Sequence, residues 1–234
     1  MNLLLLSNSS SDAGYLVHAL PWIRTLAQAA SGNKAVFLPY AGVTRTWDEY
    51  ADLVETALAP TGLVIRSLHR EADPLAALDQ ADLIVVGGGN TFNLLGHVRA
   101  LRLLDPIAQR VRAGRAAYLG WSAGANLACP TIRTTNDMPI VDPGGFDALG
   151  LVPFQINAHY TNAHPAGHRG ETRDQRLAEF CLLSPGTPVL GLREGTGLAI
   201  EGNAMTLVGE ADAVLLNGDA PARRVSPGRV EVSA

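Results

Sequence analysis

The chain is poor in several things, and each scarcity excludes something. It has two cysteines in 234 residues, Cys129 and Cys181, far apart and in no Cys-x-x-Cys pair. They build no disulfide framework and read as small buried apolar side chains in a reducing compartment. No apolar run approaches the ~20 residues that a membrane span needs. The N-terminal run Leu3–Leu6 has no basic residues before it and is too short for a signal peptide. A cytoplasmic protein without a membrane partner is the expectation. Basic charge is not in excess: 18 Lys and Arg stand against 22 Asp and Glu, a net charge of −4. That balance excludes the broad cationic surface that nucleic acid requires, though not a local basic pocket. Aromatic residues make up 6%, too few for a tyrosine-rich recognition surface.

What is present is glycine and a core. There are 24 glycines, and 47% of residues are hydrophobic against 17% charged. Such a chain is not intrinsically disordered, and a domain of this size buries about 70% of its unfolded surface. Short runs that are apolar on both faces recur at Leu3–Leu6, Ala35–Leu38, Leu63–Leu68, Leu83–Val86 and Ala116–Leu119. They have the pattern of buried parallel strands. Helix signatures lie between them. Trp47 to Leu58 is one, and Asp73-Pro74 starts another. Leu104, Ile107, Ala108 and Val111 form an apolar stripe that Asp105 is expected to cap and Gly114 to end. This rhythm predicts an α/β fold with a doubly wound, mostly parallel sheet. After about residue 186, Val189–Leu192, Leu198–Ile200, Met205–Val208 and Ala213–Leu216 predict C-terminal antiparallel hairpins at the sheet's edge. With no linker or repeat, residues 1–234 read as a single domain.

The sharpest local signal is Gly120-Trp121-Ser122-Ala123-Gly124, between a strand and a short helix. Gly-x-Ser-x-Gly in that setting is a nucleophile elbow: a sharp turn lifts the serine out of the sheet, in front of free helix N–H groups. A second signal, Gly87-Gly88-Gly89-Asn90-Thr91, closes the strand Leu83–Val86. It is neither a Walker A loop nor Gly-x-Gly-x-x-Gly. Its Gly89 N–H, paired with that of Ala123, is suited to an oxyanion hole; the competing reading is an anion nest or a plain turn. A serine nucleophile needs a base. His159 follows a strand-like segment, Phe154–Ala158, with His164 and His168 in the same loop; position favours His159 without excluding the other two. Three carboxylates compete to orient it: Glu194, Asp137 and Asp142. Thr172 and Gln175 form a capping box that puts Arg173 in the first turn of a helix. Arg173 is either a solvated surface arginine or a reader of an acidic substrate. His-Glu-x-x-His is absent and no cysteine joins the histidines, so no metal and no cofactor is expected.

These residues together resemble peptidase family S51, the α-aspartyl dipeptidases. The similarity runs through Leu3–Ser9, Ala41–Thr44, Thr46–Tyr50, Ala72–Ala77, Gly87–Phe92 and Gly170–Arg173, and is strongest in the long stretch Gly120–Pro143. It implies a class I glutamine-amidotransferase-like (flavodoxin-like) fold with serine where those enzymes carry cysteine. It implies Ser122 as nucleophile, His159 as base, Glu194 as acidic member with Asp137 as rival, and Gly89 and Ala123 as oxyanion donors. Substrate binding falls on Arg173 and Asn90. The implied substrate is a small dipeptide with an N-terminal aspartate, and the enzyme a monomer or homodimer. Two other readings stand beside this one: a cyanophycinase-like β-aspartyl peptidase, and a catalytically silent module that binds an anionic ligand at Gly87–Thr91.

Overall fold

Alternation along the strands decides how the layers stack. In Lys34–Leu38, Val36 and Leu38 belong to one buried apolar cluster, while Ala35 and Phe37 belong to another. Leu3 and Leu5 separate in the same way from Leu4 and Leu6. Successive side chains of a strand point to opposite faces, so both faces of this sheet are covered, and the strands read as unbroken apolar runs.

The computed structural model describes residues 1–163, 166–167 and 169–232. In chain order the first half comprises β1 (Asn2–Leu6), β2 (Ser10–Ser11), β3 (Gly14–Tyr15), α1 (Leu20–Ala29), β4 (Lys34–Leu38), α2 (Trp47–Leu58), β5 (Val64–Ser67), α3 (Pro74–Asp79), β6 (Leu83–Val86), α4 (Thr91–Ala100), α5 (Leu104–Arg112), β7 (Ala117–Trp121) and α6 (Ala123–Leu127). The second half comprises β8 (Gln155–Asn157), α7 (Arg173–Leu183), β9 (Val189–Gly191), β10 (Gly197–Glu201), β11 (Ala204–Val208), β12 (Ala213–Leu216), β13 (Arg223–Val225) and β14 (Gly228–Val230).

The large sheet has the order β14-β11-β10-β1-β7-β6-β4-β5. From β1 through β5 every pairing is parallel, and β10, β11 and β14 add antiparallel strands beyond β1. Helices α1 and α2 bury Ile23, Leu26, Tyr50, Val54 and Leu58 on one face. Helices α3 to α6 cover the other with Leu78, Leu94, Val98, Ile107 and Leu127. The doubly wound, mostly parallel α/β fold expected from the sequence is present.

Three local expectations need correction. The C-terminal strands do not all extend the large sheet: β9 and β12 enter a second sheet, β13-β12-β9-β8. There β9 lies parallel to β8 and antiparallel to β12. Leu190 packs into the main core, while Val189 faces Leu177 and Cys181 of α7. Turn signals mark where hairpins bend; burial on two faces selects the sheet that receives them. Second, β5 is an outer strand with Val64 exposed, not a run buried on both faces. Third, Asp105 does not cap its helix. Fully buried Leu103 donates its N–H to the Val98 carbonyl and accepts from the Ile107 N–H, so Leu103 is the N-cap and α5 begins two residues early. Asp105 then sits in the first turn, where its charge complements the helix dipole. By contrast Asp73 does cap α3, accepting from the Leu75 and Ala76 amides.

Candidate active site

Parallel strands end on the same side, and functional loops gather there. The loops after β1, β4, β6, β7, β8 and β9 do so here. Residues from Ser9–Ser10, Gly42–Arg45, Gly88–Asn90, Thr135–Asp137 and Ala158–His159 line a cleft of about 620 Å³ with Ser122 on its wall.

Ser122 stands between β7 and α6 with φ 52° and ψ −112°. A non-glycine residue at positive φ is strained and persists only where its surroundings over-determine it. They do: the Ser122 amide donates to the Leu6 carbonyl, and its own carbonyl accepts the Asn126 amide, which starts α6. Gly124 allows the turn to close, because a Cβ there would lie 2.2 Å from the Val86 carbonyl oxygen. Trp121, fully buried, donates from Nε1 to the Tyr50 hydroxyl, which donates to the Gly88 carbonyl. Burial pushes the Tyr50 hydroxyl well above its usual pKa, so it stays protonated as a donor. That chain of bonds ties the glycine loop to the serine's strand. The loop comes close: a Cβ built on Gly88 would lie 3.1 Å from the Ser122 Cβ. Among the described residues neither the Gly89 nor the Ala123 N–H has an acceptor, and both flank the serine.

His159 Nε2 lies 2.9 Å from Ser122 Oγ, and its Nδ1 lies 2.8 Å from Glu194 Oε1. The other two carboxylates are engaged elsewhere. Asp137 Oδ2 accepts from the Thr91 amide, the Thr91 hydroxyl and the Thr135 hydroxyl, closing the N-terminus of α4. Asp142 accepts from the Gly144 amide within its own turn. His164 and His168 lie outside the described residues. His159 also has positive φ, at 52°. Its backbone is held by Ser7, a fully buried side chain at the end of β1. The Ser7 hydroxyl accepts the His159 N–H at 2.8 Å and donates to the Leu192 carbonyl at 2.8 Å. Next to it, Asn8 Oδ1 accepts the Gly195 N–H beside Glu194. Two consecutive residues thus clamp both the histidine and the glutamate loops. Ser7→Ala removes the acceptor of a partly buried His159 N–H and is expected to cost about 1 kcal/mol. A melting curve together with amide exchange at His159 checks this; unaltered protection of that amide would show that Ser7 does not hold the loop.

Asn90 is the N-cap of α4: its Oδ1 accepts the Asn93 amide and its Nδ2 donates to the Met138 carbonyl. It lines the cleft, but with both polar ends in structural use. Arg173 opens α7 behind the capping box of Thr172 and Gln175. Its Nη1 donates to Asn136 Oδ1 and, at 3.0 Å, to Asn157 Oδ1. Burial, with Arg176 secondarily, holds its pKa below the usual arginine value. Among the described residues no carboxylate pairs with it. Arg173 does not itself line the cleft; Asn136, which it holds, does. Sequence reading missed several cleft residues: Arg45, Tyr15, Asn136 and Asn126, whose Oδ1 is buried without a partner among the described residues. Nothing in their spacing marks them, since they converge from separate loops. Cys129 is fully buried, and burial pushes its thiol up to about 12, far from a reactive thiolate. Among the described residues no group of three or more His, Cys, Asp or Glu side chains is placed to hold a metal, and no helix is long and apolar enough to cross a membrane.

Comparison with known proteins converges on one family. The model of peptidase family S51 matches residues 3–208. Peptidase E of Salmonella typhimurium is 56% identical over 210 residues, spanning 89% of this chain and 90% of that protein. Peptidase E of Salmonella typhi is 55% identical over the same length. Among solved structures, a protein from Listeria monocytogenes EGD-e described as a candidate peptidase E superposes with a TM-score of 0.68 at 24% identity, covering 90% of this chain and 98% of its own. A peptidase from an acI-B1 actinobacterium gives 0.63 at 16% identity, covering 96% and 93%. At those identities the two structures speak for the fold.

Proposed function

This chain belongs to peptidase family S51 and is a peptidase; from that premise we propose that it hydrolyses dipeptides with an N-terminal aspartate through an acyl-enzyme on Ser122. The observation that carries the chemistry is the unbroken relay from Ser122 Oγ through the His159 ring to Glu194. As Ser122 attacks the scissile carbonyl, His159 Nε2 takes its proton, and Glu194 stabilises the imidazolium through Nδ1–H. The Gly89 and Ala123 N–H groups receive the oxyanion, already aimed and needing no reorganisation. His159 then protonates the departing amine, and water, activated by the same imidazole, cleaves the ester.

Specificity for aspartate rests on Arg173. A guanidinium whose partners are neutral amides, in a partly desolvated setting, gains from a substrate carboxylate what those amides do not supply. Asn136 of the cleft wall and Asn157 behind it hold the guanidinium in place. Val43 and Ile140, exposed and lining the cleft, provide an apolar wall for the second residue.

The test compares Asp-Leu, Ala-Leu and β-aspartyl-leucine. Wild type is expected to favour Asp-Leu over both. Arg173→Ala is expected to lower kcat/KM for Asp-Leu by about a hundredfold while altering Ala-Leu little, in keeping with loss of one partly buried charge pair. Unaltered discrimination would remove Arg173 from this role. Preference for the β-linked peptide would overturn the substrate assignment.

A further inference from the structure

The cleft is lined by a guanidinium that the relay leaves unused. Arg45 lies in the loop between β4 and α2 and lines the same cleft as Ser122 and His159. Its guanidinium carbon stands 5.2 Å from the centroid of the Tyr50 ring. Tyr50 is itself immobilised: it is 3% exposed and bonded through its hydroxyl to Gly88, Trp121 and Tyr15. A cation over a fixed ring keeps its planar fork free for a ligand. Among the described residues Arg45 makes no ion pair and no hydrogen bond. Its acidic neighbour, Glu49, spends Oε2 on the Thr46 amide and hydroxyl in the capping box of α2.

Arg45 lines the cleft directly, whereas Arg173 meets its wall through Asn136. Tyr50, under Arg45, belongs to the apolar cluster beneath α1 and α2. Arg173 lies at the start of α7, on the side of the second sheet away from Ile156 and the main core, and is bonded to Asn136 of the cleft and to Asn157. Ser122 lines the same cleft as Arg45. An Asp-Xaa dipeptide has the matching pattern: one carboxylate on the first side chain, a scissile carbonyl, and a second carboxylate at the C-terminus, about one residue (~3.5 Å) further along the chain.

We propose that Arg45 binds the free C-terminal carboxylate of the substrate and so limits it to dipeptides. The inference rests on the aspartyl-dipeptidase reading above and adds to it the element that measures length. An added residue would carry the carboxylate past the guanidinium and leave an uncharged peptide group against it.

The experiment measures kcat and KM on Asp-Leu and on Asp-Leu amide, which has the same scissile bond but a neutral end, for wild type, Arg45→Ala and Arg45→Lys. Wild type is expected to prefer the free acid by about ten- to a hundredfold, the range for a charge-assisted hydrogen-bonded contact. In Arg45→Ala that preference should fall to within about threefold of unity, chiefly through a higher KM for Asp-Leu. Arg45→Lys, a point charge without the fork, should retain part of it. The amide substrate serves as the internal check on folding: an equal loss on both substrates would mean a structural role and overturn the proposal. So would a preference in Arg45→Ala equal to that of wild type. If wild type cleaves Ala-Leu but not Asp-Leu, the aspartyl reading falls and takes this inference with it, a result distinct from failure at Arg45 alone.

Discussion

Ser122→Ala is expected to lower kcat on Asp-Leu by about 10⁵- to 10⁶-fold, and His159→Ala by a similar factor. The two groups act as one unit, so the double variant should be scarcely worse than either single one. What survives should be the contribution of the oxyanion amides and of substrate binding. Glu194→Ala should cost much less, about 10²-fold: its side chain is 67% exposed and that of His159 41%, so water can solvate the imidazolium in its place. The strain at Ser122 gives this series a second readout. With φ at 52°, Ser122→Gly should be as inactive as Ser122→Ala yet about 1 kcal/mol more stable than wild type, because glycine relieves the strain. Covalent labelling by a fluorophosphonate, lost in Ser122→Ala and retained in Glu194→Ala, gives the chemical counterpart. Retention of more than about 1% of kcat in a well-folded Ser122→Ala protein would overturn the nucleophile assignment.

Gly89→Ala is the second large effect. Gly89 has φ +137°, a conformation closed to residues with a Cβ, and a Cβ there would lie 2.2 Å from the Ala41 carbonyl oxygen. Backbone strain of about 1–3 kcal/mol and an overpacking cost of about 1–3 kcal/mol then add. For a chain of this size that is a fall in Tm of roughly 10 °C. The clash also displaces the N–H proposed to hold the oxyanion, with an expected loss in kcat of about 10²–10³. Gly62→Ala is the control: it too has positive φ, at +78°, but open space around it and no place in the cleft. It should lose about 1 kcal/mol and leave kcat intact. If Gly89→Ala melts early but retains full kcat, its amide does not hold the oxyanion.

Much of the fold was legible because local rules and tertiary structure agree. Runs such as Leu83–Val86 are apolar at every position because helices cover both faces. Asp73 and Thr172 mark helix starts through side chains that cap backbone amides within three residues. The elbow at Ser122 was legible because its glycines fall at a fixed short spacing around the serine, although Gly124 is demanded by the remote Val86 carbonyl. Where burial overrode local preference, as when Leu103 started α5 ahead of Asp105, the sequence signal misled. Where pairing was a choice between sheets, as for β9 and β12, it was silent.

The amino-acid sequence by itself determined the class of fold and the nucleophile candidate. It did so because each rests on the conformational limits of single residues or on a short period. Tertiary structure decided the rest. Which of Glu194, Asp137 and Asp142 meets His159 depends on how β8 and β9 lie beside β1 through Ser7 and Asn8, more than 150 residues away in the chain. That Arg45 lines the cleft while Arg173 holds its wall through Asn136 depends on segments whose separation in sequence carries no information about their distance in space. Contacts between remote segments follow from the packing of whole layers, and no local pattern encodes them.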